Sequence, residues 1–249
     1  MTSRKLRLDE WLVENGHYPS RARARDAILR GCVTLEGDLS PKPSRIVPAD
    51  NPVQINDPAQ QYVSRAALKL IDALEKTGYD PAGNVALDLG ISTGGFTQVL
   101  LERGAAHVYG IEVGQGQLAS ALVNHPGLTH VEGKNARDLT LADLEHRRPE
   151  FLTCDVSFIS LKLVLPPALE IAEKNSVGIF LVKPQFEVGK EALGKGGIVR
   201  DKTVLIQAAE DLKAWLAAQP LWRVTHFFPA TITGGDGNQE YVLAGVKDG

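Results

Sequence analysis

The stretch Val85-Ala86-Leu87-Asp88-Leu89-Gly90-Ile91-Ser92-Thr93-Gly94-Gly95-Phe96-Thr97-Gln98-Val99-Leu100 constrains this chain more than any other. An apolar run that ends in an acid and a glycine reads as a buried parallel strand, and the small residues after it open an amphipathic helix. Gly90, Gly94 and Gly95 remove side chains where a backbone turns sharply or lets a ligand approach, and the helix N-terminus behind them favours electronegative groups. Such a strand, loop and helix suits a small molecule; the alternative is a turn that only connects. Neither G-x-G-x-x-G nor G-x-x-x-x-G-K-[ST] occurs, so the usual signatures of dinucleotide and triphosphate binding are missing.

The rest of the chain sets the frame for this motif. Its 249 residues suffice for one large α/β domain and a small companion, and a net charge of −3 gives no bulk hint of a nucleic-acid partner. Cys32 and Cys154 cannot make a disulfide framework and neither has metal-ligand spacing, so a reduced compartment and no metal site are expected. The start, Met1-Thr2-Ser3-Arg4-Lys5-Leu6, reaches charge at once, and no apolar run is long enough to cross a bilayer. The expectation is a soluble, cytoplasmic protein with no membrane partner.

Residues 6–15 put Leu8, Trp11 and Leu12 on one side of a short helix that Asn15-Gly16 ends, and Ser20 caps a second helix from Arg21 to Arg30, closed by Gly31. Short extended pieces follow, giving a unit over residues 1–55 and a polar linker over 56–61. The unit concentrates Arg21, Arg23, Arg25, Arg30, Lys42 and Arg45, with Arg21 and Arg25 on one helix face. Such a face suits phosphate backbones; it also reads as a solvated surface in which Asp26 and Arg30 pair at i and i+4.

From Tyr62 to Gly249, strand and helix alternate. Ser64 reads as the N-cap of a helix running to Gly78. Strands fall near 84–89, 107–112, 128–131, 150–156, 176–183, 223–230 and 240–246, and helices near 94–103, 117–123, 163–174 and 201–218. Alternation of this kind predicts an α/β fold with a mostly parallel seven-stranded sheet covered on both faces. In open sheets the ligand lies beyond the carboxyl ends of the strands, which here carry Asp88, Glu112, Asp155 and Lys183, while Glu240 opens the last strand. A lysine closing an apolar strand needs a partner, and Asp155 on the neighbouring strand is the natural one; a structural ion pair at the sheet rim is the competing explanation.

Three patterns in these residues resemble known families. The order Arg7-Leu8-Asp9, Ser20-Arg21, Ala24, Ile28, Gly31, Val33 and Lys42-Pro43-Ser44 resembles the α-L RNA-binding module of the S-four type, with Glu36 departing from its usual turn. The string D-L-G-x-S-x-G-G-F-T resembles the first motif of Rossmann-like methyltransferases of the FtsJ type. Lys69, Asp155, Lys183 and Glu240 follow the K-D-K-E order of FtsJ-like ribose 2′-O-methyltransferases. Taken with Asp155-Val156-Ser157-Phe158-Ile159-Ser160-Leu161 and Val182-Lys183-Pro184-Gln185-Phe186-Glu187, the chain resembles the TlyA family, some of whose members are named hemolysins. Ala66-Ala67 and the glutamines before Tyr62 depart from the family pattern at the interdomain joint.

That resemblance implies S-adenosylmethionine as cofactor and ribosomal RNA, within ribosomal subunits, as substrate and partner. It implies a catalytic set of Lys69, Asp155, Lys183 and Glu240. Donor contacts fall on Asp88, Gly90, Ser92, Thr93, Gly94, Gly95, Phe96, Thr97, Glu112, Asn135, Asp138 and Asp155. Glu112 stands where the family has an aspartate that accepts from a ribose, and Asn135 and Asp138 lie in the segment that meets the adenine, Asp138 reading equally well as a helix cap. RNA contacts fall on Arg7, Arg21, Arg25, Arg30, Lys42, Arg65 and Lys190, the last in a glycine- and lysine-rich loop over 189–197 that reads as a lid. Whether Lys183 is a base or an electrostatic guide stays open at this level, because burial and Lys69 favour the amine while Asp155 and Glu240 favour the ammonium.

Overall fold

The computed structural model describes residues 5–50, 52–188, 199, 201–234 and 237–249. Two compact units make up the chain, Met1–Gln61 and Tyr62–Gly249.

The first unit contains β1 (Leu6–Arg7), α1 (Leu8–Glu14), α2 (Arg21–Leu29), β2 (Val33–Leu35), β3 (Ile46–Val47) and β4 (Val53–Ile55). Strands β1 and β3 pair antiparallel, as do β2 and β4. Ser20 Oγ accepts the Arg23 N–H at 3.3 Å and so takes up one of the free donors at the start of α2. Leu8, Trp11 and Leu12 turn inward from α1 and meet Ala24, Ala27 and Ile28 of α2. Helical spacing thus becomes one buried seam.

The second unit contains α3 (Ala66–Thr77), β5 (Val85–Leu89), α4 (Gly95–Glu102), β6 (His107–Ile111), β7 (Leu128–Val131), β8 (Phe151–Cys154), α5 (Leu161–Ile171), β9 (Val177–Val182), α6 (Pro184–Glu187), α7 (Lys202–Ala217), β10 (Trp222–Pro229) and β11 (Tyr241–Lys247). The sheet order is β10-β11-β9-β8-β5-β6-β7. Strands β9, β8, β5, β6 and β7 run parallel, and β11 is antiparallel to both β9 and β10. Residues of alternate parity serve opposite faces: Leu87, Leu89, Leu152 and Phe180 pack toward α5 and α7, while Ala86, Phe151, Ile179 and Leu181 pack with α3 and α4. Burial on both faces is why these strands read as near-continuous apolar runs.

The chain leaves β5 for β6 on one side and returns through β8 on the other. At that reversal the loops after adjacent strands diverge, which opens a crevice at the carboxyl edge.

Three local expectations differ. The helix expected over 117–123 is a run of turns: Ala119 donates its N–H to Thr93 O at 3.2 Å, outside the segment, and Leu122 and His125 donate to the third residue back. Helix α3 begins at Ala66 rather than directly after Ser64, whose Oγ accepts the Ala66 N–H at 3.1 Å. The short helix α6, which is not among the expected helices, begins at Pro184, and proline suits a first helical position.

Candidate active site

A cleft of about 560 Å³ opens at the carboxyl edge of the sheet, walled by the loops after β5, β6, β7 and β8 and by Lys183 after β9. Gly90, Ser92, Thr93, Gly95, Phe96, Glu112, Asn135 and Asp155 line it, as do Ile91, Ile111 and Val113. Asp88, Gly94, Thr97 and Asp138 do not appear in its wall.

The residues behind the wall hold the loop in place. Asp88 is 1 % exposed and accepts from Thr97 Oγ1 at 2.7 Å and Thr153 Oγ1 at 2.9 Å. Burial, reinforced by the charge of Asp155 and opposed by the two threonine hydroxyls, pushes its carboxyl up to about 6. This acid therefore ties β5, α4 and β8 together under the loop. Gly90, at φ +79, lies so close to β8 that a Cβ would sit 2.8 Å from Val156 Cγ1 and 3.1 Å from the Asp155 carbonyl oxygen. Gly94, at φ +94, is likewise in a conformation that residues with side chains rarely adopt, and a Cβ there would also meet Leu122 Cδ1 at 2.4 Å.

Glu112 joins two loops. Its Oε2 accepts the Ser92 N–H at 3.0 Å and its Oε1 accepts the Gly114 N–H at 2.9 Å, and each oxygen keeps a further lone pair. Ser92 adopts φ +46, an uncommon conformation for a residue with a side chain, and donates its Oγ–H to Gln117 Oε1 at 3.2 Å. Gln117 also lines the cleft, a placement that sequence reasoning misses because its segment reads as helix. Asn135 both lines the cleft and accepts the Arg137 N–H at 3.1 Å, capping a 3-10 turn over Ala136–Asp138. The cap is therefore Asn135, and Asp138 is exposed.

The four ionisable residues form two ion pairs. Lys69 Nζ donates to Glu240 Oε2 at 2.5 Å, with the two residues 7 % and 3 % exposed. Lys183 Nζ lies 2.6 Å from Asp155 Oδ1 and donates to Ser157 Oγ at 2.9 Å. Asp155 and Lys183 line the cleft, whereas Lys69 and Glu240 are not in its wall. Glu240 and Lys183 each lie one residue beyond the last rung of the antiparallel β9–β11 ladder, Tyr241 with Val182.

Two residues beside this quartet acquire tasks that residue type alone does not reveal. Phe158, at φ +64 and 89 % exposed, stands on the cleft and stacks in a tilted arrangement on Phe186 with ring centroids 5.0 Å apart. Glu187 accepts from Ser160 Oγ at 2.5 Å and from the Leu161 N–H at 2.8 Å, satisfying donors at the start of α5. Burial pushes its carboxyl up, against these hydrogen bonds.

In the first unit the candidate RNA contacts divide. Arg25 and Lys42 are exposed. Arg7 and Arg21 share the buried Asp9, at 3.0 and 3.2 Å, and Arg21 also pairs with Glu10. Arg30 is only 18 % exposed and pairs with Asp26 at 2.8 Å and Asp57 at 2.9 Å, so it holds the unit together rather than facing outward. Arg65 is half-buried at the start of α3. Lys190 and the expected lid over 189–197 lie outside the described residues.

Comparison with known proteins bears on this geometry. A family model described as FtsJ-like methyltransferase matches residues 62–247. The chain is 41 % identical to the 16S/23S rRNA (cytidine-2′-O)-methyltransferase TlyA of Mycobacterium tuberculosis, over 97 % of this chain and 90 % of that protein. It is 37 % identical to Hemolysin A of Brachyspira hyodysenteriae, over 79 % of this chain and 81 % of that one. Among solved structures, a hemolysin-named protein of Streptococcus thermophilus superposes with a TM-score of 0.76 at 33 % identity, covering 98 % of this chain and 89 % of the other.

Proposed function

The chain belongs to the FtsJ-like methyltransferase family and to the TlyA group within it, and from that membership we propose that it methylates a ribose 2′-hydroxyl of ribosomal RNA with S-adenosylmethionine as donor. The observation that carries the reading is the Asp155–Lys183 ion pair on the cleft, beside the buried Lys69–Glu240 pair.

The cleft residues suit an adenosyl donor. A volume of about 560 Å³ lies within the usual range for small-molecule sites. Glu112 has lone pairs left for a ribose diol, Ile91, Ile111 and Val113 offer apolar contact for a base, and Asn135 supplies a polar edge. The donor, when bound, supplies a methyl group already activated by its sulfonium. What remains for the protein is alignment of a hydroxyl and control of one proton.

Alignment comes first, because a hydroxyl proton becomes strongly acidic only as the new oxygen–carbon bond forms. Lys183, held in an ion pair by Asp155, directs an N–H at one lone pair of the acceptor oxygen and so aims the other at the methyl carbon; the hydroxyl proton leaves to solvent as the oxygen–carbon bond forms and the carbon–sulfur bond breaks. Lys69 and Glu240 neutralise each other beside that pair, so the edge carries no unbalanced buried charge. Phe158 presents an open ring on which an unstacked base can rest. Arg25 and Lys42, with Arg7 and Arg21 on their shared carboxylate, supply cations for the RNA backbone, an arrangement in keeping with an RNA-binding unit over residues 1–55. In this reading the enzyme works in the cytoplasm on ribosomal RNA. No helix among the described residues is long and apolar enough to cross a membrane, and the reading assigns the chain no lytic role.

Lys183→Ala is expected to abolish methyl transfer while leaving donor affinity nearly unchanged. A tritium-transfer assay on unmodified ribosomal subunits, run beside calorimetric titration with S-adenosylmethionine, measures both. Wild-type turnover in the variant removes Lys183 from the mechanism.

A further inference from the structure

Ser157 sits two residues after Asp155 in a motif whose other members already have tasks. Its hydroxyl is the partner toward which Lys183 is directed. The approach of Lys183 Nζ to Asp155 Oδ1 is short, at 2.6 Å, but lies off the hydrogen-bonding direction, and that buried oxygen receives no aligned donor. The aligned bond is the one to Ser157 Oγ, at 2.9 Å. Ser157 lies in the loop three residues after β8 and Lys183 directly after β9, the neighbouring parallel strand, which brings the two together at the sheet's carboxyl edge. Both residues line the cleft.

We propose that Ser157 is a positioning residue for methyl transfer, fixing the direction of the Lys183 ammonium so that a remaining N–H points at the acceptor hydroxyl. The proposal rests on the reading that Lys183 acts on that hydroxyl. The division of labour is physical. Asp155 supplies charge, which holds an ammonium at a distance but not at an angle; Ser157 supplies the angle. An ammonium has three donors, and occupying one of them directionally limits where the other two point. Without that bond the long lysine side chain keeps its ion pair and regains rotamer freedom, so fewer complexes are aligned for reaction.

The loss therefore belongs in kcat: Ser157 lines the cleft, but the groups assigned to the donor, Glu112, Asn135, Ile91, Ile111 and Val113, and the RNA-binding cations keep their side chains. The test uses the full-length chain as Ser157→Ala, Ser157→Thr and Lys183→Ala, assayed for steady-state methylation of unmodified ribosomal subunits, with calorimetric titration of S-adenosylmethionine. Ser157→Ala is expected to lower kcat about 10- to 100-fold, with KM for RNA and donor Kd within about twofold of wild type. Ser157→Thr, which keeps the hydroxyl on an exposed residue, is expected to restore most of that loss. An inactive Lys183→Ala beside a Ser157→Ala variant with wild-type kcat overturns the proposal alone. Wild-type turnover in Lys183→Ala overturns the reading beneath it. Equal losses in the alanine and threonine variants, or a loss carried by KM or donor Kd, assign Ser157 to packing and also overturn the proposal.

Discussion

Asp88 illustrates how one side chain links loop geometry to pH. The folded carboxyl is held up to about 6, while an unfolded aspartate titrates near 3.9, so between these values the folded state binds the extra proton. Stability from this group is fully present below about pH 4 and is lost as pH rises through about 6, a change on the order of 3 kcal/mol. Asp88→Asn keeps hydrogen-bonding groups facing Thr97 and Thr153 and removes the titration. Urea unfolding at steps from pH 4 to 7.5 is expected to give a flatter stability profile for the variant than for the wild type; parallel profiles would contradict the assignment. An acid at the end of a strand beside a glycine loop was visible in the chain. That it lies behind the cleft wall, clasped by two threonines, was not, because one of them comes from β8, dozens of residues away.

At the scale of elements, the turn from β5 to α4 is set by contact with β8 as much as by its own residues. Gly90→Ala places a side chain at φ +79 and drives a Cβ into Val156 and the Asp155 carbonyl. Left-handed strain and overpacking together are expected to cost about 2–4 kcal/mol. Donor affinity should fall with stability, since the same movement shifts Ile91 and Ser92 in the cleft wall. Thermal unfolding and calorimetry measure the two effects, and an alanine variant with wild-type donor affinity would show that the loop does not need this approach. Strands and long helices were legible from apolar period, because burial on one stripe or both faces leaves a pattern in the chain. The 117–123 segment was not: its leucines are periodic enough for a helix, but they answer to Gly94 and the loop carbonyl of Thr93.

For the molecule as a whole, a net charge of −3 means that affinity for a polyanion has to come from local cations. Arg25 and Lys42 are exposed, whereas Arg30 is committed to Asp26 and Asp57. The double variant Arg25→Gln, Lys42→Gln is expected to weaken binding to ribosomal RNA. The slope of log affinity against log salt should become shallower by about 0.7–0.9 for each phosphate that is no longer neutralised. Donor binding should not change, because the cleft is built from the second unit. Filter binding across a salt series, beside calorimetry with S-adenosylmethionine, measures this; an unchanged slope would remove these two cations from the RNA interface.

From its order of residues alone, this chain declared an α/β architecture, the strand whose end carries the glycine loop, and the residue types able to handle a ribose hydroxyl. Those features are local or periodic, and burial writes them into neighbouring positions. The pairing of Lys183 with Asp155 across neighbouring strand ends was legible as well, but the folded chain alone decided the remaining partners. Lys69 meets Glu240 across 171 residues, Lys183 adds Ser157, and Arg30 turns inward to Asp57. Pairing across such separations depends on strand order and register, and a charged side chain bears no mark of the partner that its register will bring.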